Sequence, residues 1–384
     1  MRKIGIATPF LVPNYGTKLQ AYAISTYFKD ILGEDAEIIN YTPSSDKRVK
    51  TILRKVFSIE RNISRINRMK GNKKIQKVVD SEKQIKRKKS INEFNIMFPL
   101  SDKVSGWHKL KKSAEHYDCV ICGSDQIWVP GNLKDNYYTL EFCSKGTLKG
   151  SYAASLGVEQ LTESQKKGFS KFLKKLDFIS IRESIGKEIL SPLSEKKEIT
   201  WVCDPTLLLP SSHWSKLEKK PSILNDIDSD YVFCYFLGTN EEHRRSVYEY
   251  AKKNKCKILT VANFKGYCEL DTTLSDVQLY ELTVNEFLYL IHHSHYVFTD
   301  SMHATIFSII FEKEFATFER FNSTDINSRN SRIYSLLSAM GLENRLIYSN
   351  IPSEIIDYNS VKSKKKLYVD ISEKFIREEI LKCI

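Results

Sequence analysis

Arg2-Lys3-Ile4-Gly5-Ile6-Ala7-Thr8-Pro9-Phe10, followed by Pro13-Asn14-Tyr15-Gly16, a patterned run over 17–32 and a second apolar run over 36–41, is the stretch that decides the fold. The first segment is short and apolar, as a buried strand is. Pro13-Asn14-Tyr15-Gly16 carries turn chemistry. Over 17–32, Leu19, Tyr22, Ala23, Thr26 and Tyr27 recur at helical steps and predict the inner face of a helix. A β-loop-α-β opening of this kind begins a doubly wound parallel sheet.

Working outward, apolar runs at 118–123, 150–155, 178–182 and 199–203, with a helical pattern over 162–176, extend that sheet and predict a first α/β domain over 1–209. A polar, Pro-containing stretch over 210–230 reads as a linker. Strands at 231–237, 257–262, 296–299 and 315–318 then alternate with helices at 241–254, 284–292, 301–311 and 331–341, which predicts a second α/β domain over 231–384. The expected fold class is α/β, two Rossmann-like domains whose parallel sheets face a cleft.

Composition agrees with a globular chain. It has 384 residues, 41% of them hydrophobic, with 15 Gly and 10 Pro, which excludes collagen-like and wholly disordered classes. No run of about 18 apolar residues exists to span a bilayer, and Pro9 and Pro13 interrupt any signal-peptide core, so a cytoplasmic location is expected. The eight cysteines are scattered, several of them within apolar runs, and no disulfide framework is expected.

The net charge of +12 is concentrated: residues 46–90 hold 17 Lys and Arg against 4 Asp and Glu. Ile52, Val56, Ile59, Ile63 and Ile66 form one apolar stripe there, so 46–97 reads as a basic helical insertion. Such a helix packs on its own domain or lies on anionic lipid. With Phe57 as the one aromatic residue of 46–90, the segment lacks the interleaved rings of a nucleic-acid binder, and no nucleic acid is expected as a partner. Lys362-Ser363-Lys364-Lys365-Lys366 reads as a charged surface loop.

Chemistry-bearing residues cluster where predicted strands end. Asn14-Tyr15-Gly16 lets the backbone approach a ligand at a helix start. Ser124-Asp125-Gln126-Ile127-Trp128 delivers a hydroxyl, a carboxylate, an amide and an indole together; Asp125 reads as a base and Trp128 as a stacking platform, the alternative being a helix cap with Trp128 in the core. Arg182, beside Glu183, offers a planar fork to an anion. His303, in the first turn of a helix capped by Asp300 or Ser301, reads as a general acid or base. His292, His293 and His295 lie close in sequence without a neighbouring carboxylate, and Cys119 and Cys122 have CxxC spacing within a strand, so no metal site is expected.

Taken in order, Asn14-Tyr15-Gly16 with Leu19-Gln20-Ala21-Tyr22-Ala23, Gly123-Ser124-Asp125-Gln126-Ile127-Trp128, Ser151-Tyr152-Ala153-Ala154-Ser155, Ser180-Ile181-Arg182-Glu183, Asp204-Pro205-Thr206-Leu207-Leu208 and Asp300-Ser301-Met302-His303-Ala304 resemble the polysaccharide pyruvyl transferase family. The resemblance implies a fold like that of two-domain GT-B glycosyltransferases. It also implies transfer of a pyruvyl unit from phosphoenolpyruvate to a sugar hydroxyl pair, forming a cyclic ketal on a capsular, exopolysaccharide or other envelope glycan precursor. No organic cofactor or metal is implied, and the sugar acceptor could be lipid-linked, with the 46–90 segment at the inner membrane surface.

Carried over by motif, Arg182, Ser301, Met302, His303 and Ala304 would bind the donor in a site belonging to the second domain. Asn14, Tyr15, Gly16, Gln20, Ser124, Gln126 and Trp128 would line the cleft or the acceptor side, and His303 and Asp125 would be catalytic. Where the family motif often reads Arg-Leu-His, this chain reads Ser301-Met302-His303, which leaves the donor phosphate to Arg182 or to Arg320, Arg329 and Arg332 downstream. The competing readings are a glycosyltransferase that uses a nucleotide sugar, and a non-catalytic glycan- or membrane-binding protein.

Overall fold

The computed structural model describes residues 2–43, 73–195, 197–263, 268–322, 328–348 and 350–383. Two six-stranded sheets organise it. The first contains β1 (Lys3–Ala7), β2 (Asp35–Ile38), β5 (Cys119–Gly123), β6 (Leu148–Ala154), β7 (Phe178–Ile181) and β8 (Ile199–Trp201), in the order β2-β1-β5-β6-β7-β8. The second contains β9 (Tyr231–Tyr235), β10 (Lys257–Val261), β11 (Val277–Leu279), β12 (Tyr296–Thr299), β13 (Phe315–Phe318) and β14 (Leu346–Ile347), in the order β11-β10-β9-β12-β13-β14. A small pair, β3 (Tyr41–Thr42) and β4 (Val104–Ser105), lies apart from both.

All these pairings are parallel, and central strands such as Cys119-Val120-Ile121-Cys122-Gly123 are buried along their whole length. That is why they read as unbroken apolar runs rather than as alternating ones. In each sheet the chain first builds outward from a central strand, β1 to β2 and β9 to β10 to β11, then crosses to that strand's other side, to β5 and β12. Connections leave the two neighbours in opposite directions, which opens a crevice beyond the carboxyl ends of β1 and β5, and another beyond β9 and β12.

The helices that support the crevices are α1 (Tyr15–Thr26), α2 (Lys73–Glu93), α3 (Glu163–Leu173), α4 (Ser184–Leu190), α5 (Glu241–Asn254), α6 (Val284–His292), α7 (Met302–Ile310), α8 (Ser331–Met340) and α9 (Tyr358–Phe375). Helix α1 begins two residues earlier than expected because the Asn14 side chain accepts from the Thr17 amide and caps it there. Capping boxes start α3 (Thr162 with Gln165) and α6 (Thr283 with Glu286).

Three sequence expectations change. The stretch 210–230 is not a bare linker: Trp214 is fully buried, meets Phe307 of α7 edge-on at 4.9 Å and donates its indole N–H to the Thr206 carbonyl. The lysine run at 362–366 is no loop; it lies within α9, whose Tyr368 donates to the Val202 carbonyl and whose Ser372 accepts from the Cys203 amide. The last helix therefore packs on first-half residues, although it was expected wholly within the second domain.

Of the basic insertion, 44–72, and with it the stripe from Ile52 to Ile66, lies outside the described residues. In α2, Arg87 is buried and donates to the carbonyls of Tyr280 and Asn263, so this part of the insertion docks on the second half. All eight cysteines are free thiols, and among the described residues no helix is long and apolar enough to cross a membrane.

Candidate active site

The two crevices face each other, and the loops that leave β1, β5, β9 and β12 meet between them. From the first half comes the turn into α1. Gly16 sits so close to the second half that a Cβ there would lie 2.2 Å from His303 Nδ1. Only glycine allows the imidazole to pack on the start of α1. His303 in turn occupies the first turn of α7. Ser301 holds the cap position there without a capping side-chain hydrogen bond, contrary to expectation, its own amide donating to Thr299 Oγ1.

The loop after β5 curls back on itself. Asp125 has φ of +66°, and its carbonyl accepts from the amides of Ile127 and Ser155. A left-handed conformation is tolerated by Asp better than by most residues. Here it aims the carboxylate inward, where Oδ2 accepts from Thr17 Oγ1 at 2.9 Å and Oδ1 lies 3.4 Å from Arg182 Nη2. Arg182, at the end of β7, has its other arm on Asp204 Oδ2 at 2.5 Å. Asp204 also accepts from the amide and hydroxyl of Thr206 and lies 3.5 Å from His303 Nε2.

The charges follow from these contacts. Burial pushes the Asp204 carboxyl up, but His303, Arg182 and Thr206 more than offset it and hold the group far below the usual carboxylate range. Asp125 is likewise raised by burial and lowered on balance by Arg182, His303 and Arg332. Both carboxylates therefore stay ionised, and a carboxylate so stabilised is a poor proton acceptor.

Three further arginines close the site from the second half. Arg320 donates to the Asp300 carbonyl, while Asp300 uses its carboxylate to hold the amides of Leu237 and Gly238 at 2.8 and 2.7 Å. Arg329 donates to Gln126 Oε1 across the cleft. Arg332 lies in the first turn of α8, donates its Nε–H to the Arg329 carbonyl and is buried. Burial, with Arg182 and Arg320 close by, pushes its guanidinium down to about 9.

Among the described residues neither Arg329 nor Arg332 has an ion-pair partner, and a cation in the first turn of a helix faces the positive end of the dipole. Among the described residues Arg182 Nε, Arg329 Nε, Ser124 Oγ and Ser331 Oγ are buried there without hydrogen-bond partners, while Arg320 Nε and His303 Nε2 have only the carboxylates of Asp300 at 3.4 Å and Asp204 at 3.5 Å. Buried donors left unmade are costly. A ligand with several acceptor oxygens and negative charge would satisfy them.

Asn14, Gly16, Asp125, Gln126, Arg182, Ser301 and His303 come together as expected from their strand ends. The other sequence candidates do not line open space. Trp128 is fully buried, with its indole N–H on the Tyr138 carbonyl and its ring against Phe172, so it has no face to offer a sugar. Tyr15 stacks on Phe287 and donates to the Leu282 carbonyl; Gln20 is spent on Thr8, Pro9 and Thr17; Met302 and Ala304 are buried, and Ser124 is buried with its Oγ unpartnered among the described residues. One cavity on the first half, of about 300 Å³, is lined by Thr8, Phe10, Leu11, Tyr41, Tyr137 and Tyr138. Sequence reasoning missed it because its tyrosines lie outside the motifs.

The sequence matches the family described as polysaccharide pyruvyl transferase over residues 14–323. No curated protein matches it. In three dimensions it is similar to UDP-GlcNAc 2-epimerase from Methanocaldococcus jannaschii, at 12% identity and a TM-score of 0.54 over all of both chains. It is also similar to HepE from Anabaena in complex with UDP and glucose (8%, TM-score 0.53, all of both chains) and to UDP-GlcNAc 2-epimerase from Neisseria meningitidis bound to UDP-GlcNAc (11%, 0.51, all of both chains). These likenesses show the fold, a GT-B-like pair of α/β domains.

Proposed function

Because the chain belongs to the polysaccharide pyruvyl transferase family, we propose that it moves a pyruvyl unit from phosphoenolpyruvate to two hydroxyls of a sugar in a glycan precursor, forming a cyclic ketal. The observation that carries the donor assignment is the pair of guanidiniums, Arg329 and Arg332, that have no ion-pair partner among the described residues and lie near Asp125. Phosphoenolpyruvate bears a phosphate and a carboxylate, and arginine forks with a helix N-terminus suit both. In this reading Arg329 and Arg332 take the place of the arginine that the family carries where this chain has Ser301.

The reaction needs a proton delivered to the donor's methylene carbon, attack by one sugar hydroxyl on the adjacent carbon, departure of inorganic phosphate, and closure by the second hydroxyl; of the two hydroxyl protons released, one restores the acid and the other leaves on the phosphate. His303, whose Nε2 lies 3.5 Å from Asp204 Oδ2, is the acid, with Asp204 orienting the ring. Arg182 acts as the positioning centre that holds Asp125 and Asp204 rather than as a free anion clamp, since both of its arms are occupied. Asp125, kept ionised by Arg182, takes a positioning role as well. The acceptor would enter from the first half, over the tyrosine-lined cavity.

The test is phosphate release from phosphoenolpyruvate with galactose-, glucose- and N-acetylmannosamine-containing acceptors, lipid-linked ones included, with mass spectrometry of the product. A gain equal to pyruvic acid less one water, lost in His303→Ala, is the expected outcome. Silence across the panel, with a thermal shift from a UDP-sugar and none from phosphoenolpyruvate, would overturn the reading in favour of a nucleotide-sugar enzyme.

A further inference from the structure

Glu218, in the segment that joins the two halves, meets the carboxyl end of α6, far along the chain. Its Oε1 lies 2.7 Å from His292 Nδ1 and its Oε2 lies 3.0 Å from His293 Nε2. The three donor atoms are all within 4.8 Å of one another. The sequence offered two adjacent histidines without a carboxylate; the fold supplies the carboxylate from 74 residues away.

We propose that Glu218, His292 and His293 form a site for one divalent transition-metal ion, zinc foremost, that fastens the inter-domain segment to α6. Among the described residues the two imidazoles are the only ion-pair partners of Glu218, whose carboxylate is 8% exposed. With neutral imidazoles that buried anion has no compensating charge, and a cation supplies it. Two nitrogens and one oxygen make a ligand set that zinc accepts, with water completing the tetrahedron.

The rings are already held. His292 stacks on Phe311 at 4.3 Å and His293 on Tyr289 at 4.0 Å, so little order is lost on binding. Both imidazoles remain partly exposed, at 33% and 45%, which gives the ion a path from solvent. Binding moves each bridging proton to the ring's other nitrogen, and no proton is lost overall. Asn285 of α6 already pins the same segment, its side chain donating to the Leu217 carbonyl and its carbonyl accepting from the Lys219 amide, so the ion would complete an existing anchor.

The experiment uses the untagged full chain. Zinc titration by calorimetry and cobalt titration by visible absorption should each saturate at one equivalent, and zinc should raise the unfolding temperature. Glu218→Gln should weaken zinc by about tenfold or more, and the His292→Ala/His293→Ala double variant should abolish the cobalt band. Absence of saturable binding in the wild type, or unchanged binding in either variant, would overturn the proposal. Phosphoenolpyruvate turnover plays no part in these readouts, so they stand or fall apart from the transferase reading.

Discussion

Replacing Arg332 by methionine should make the ligand-free protein more stable while removing donor binding. A guanidinium whose affinity for its proton falls well below its ordinary value, to about 9, keeps its charge at neutral pH, so the misfit is carried by the native state as lost stability. At 1.36 kcal/mol per unit this sets a ceiling on the order of 4–5 kcal/mol. Water in the open cleft relieves part of it, and the variant loses the hydrogen bond to the Arg329 carbonyl, worth ~1 kcal/mol. Methionine of similar length keeps the packing, so the expected gain is ~1–3 kcal/mol. The sign has a second signature. Above about pH 9 the unfolded chain still binds this proton and the native state does not, so Arg332 adds an upward slope that opposes the downward one of the buried tyrosines, and the wild type should lose less stability than the variant as the pH becomes alkaline. The assay is denaturant unfolding at neutral and alkaline pH, paired with thermal shift by phosphoenolpyruvate. A variant that is less stable than wild type and still shifted by the donor would refute both the electrostatics and the anion-site reading.

Gly16→Ala should fold, because alanine favours the helix, yet its Cβ must displace the His303 ring that it would meet at 2.2 Å; turnover should fall about 100-fold, and circular dichroism with kcat measurement checks it. Asp204→Asn leaves the buried Arg182 short of a partner at 2.5 Å and should cost about 3–5 kcal/mol in denaturant unfolding. Because the Asp204 carboxyl is held well below its unfolded value, its contribution is full above pH of about 4 and is lost as the pH falls below that. The acid destabilisation of the wild type should therefore be steeper than that of the variant. Trp214→Ala removes the buried edge-on contact with Phe307 and should lower stability by about 3–5 kcal/mol, read as a shift in the unfolding midpoint. For the basic segment, flotation with vesicles containing anionic lipid should retain the full chain and lose a variant with the lysines and arginines of 46–90 neutralised; equal flotation of both would remove the membrane role.

Much of the architecture was legible because it is local. Strand and helix patterns repeat every two or 3.6 residues, so Glu241–Asn254, Val284–His292 and Tyr296–Thr299 were bounded as they stand. Short edge strands such as β14 (Leu346–Ile347) carry too few residues to make a pattern, and β11 (Val277–Leu279) is scarcely longer. The return of α9 to the first half depends on contacts made by Tyr368 and Ser372 with residues more than 160 positions away.

By itself the sequence determined that two parallel α/β units would form and that Asn14, Gly16, Asp125, Arg182 and His303 would stand at strand ends, since periodicity fixes where strands stop and parallel topology makes their carboxyl ends a binding edge. Tertiary structure alone decided which of those side chains face open space. It sent Trp128 into the core, tied Arg182 between Asp125 and Asp204, left Arg329 and Arg332 without an ion-pair partner among the described residues, and carried Glu218 to His292 and His293. The physical reason is that burial and charge depend on distances between segments far apart in the chain, and those distances are set by how whole sheets and helices pack.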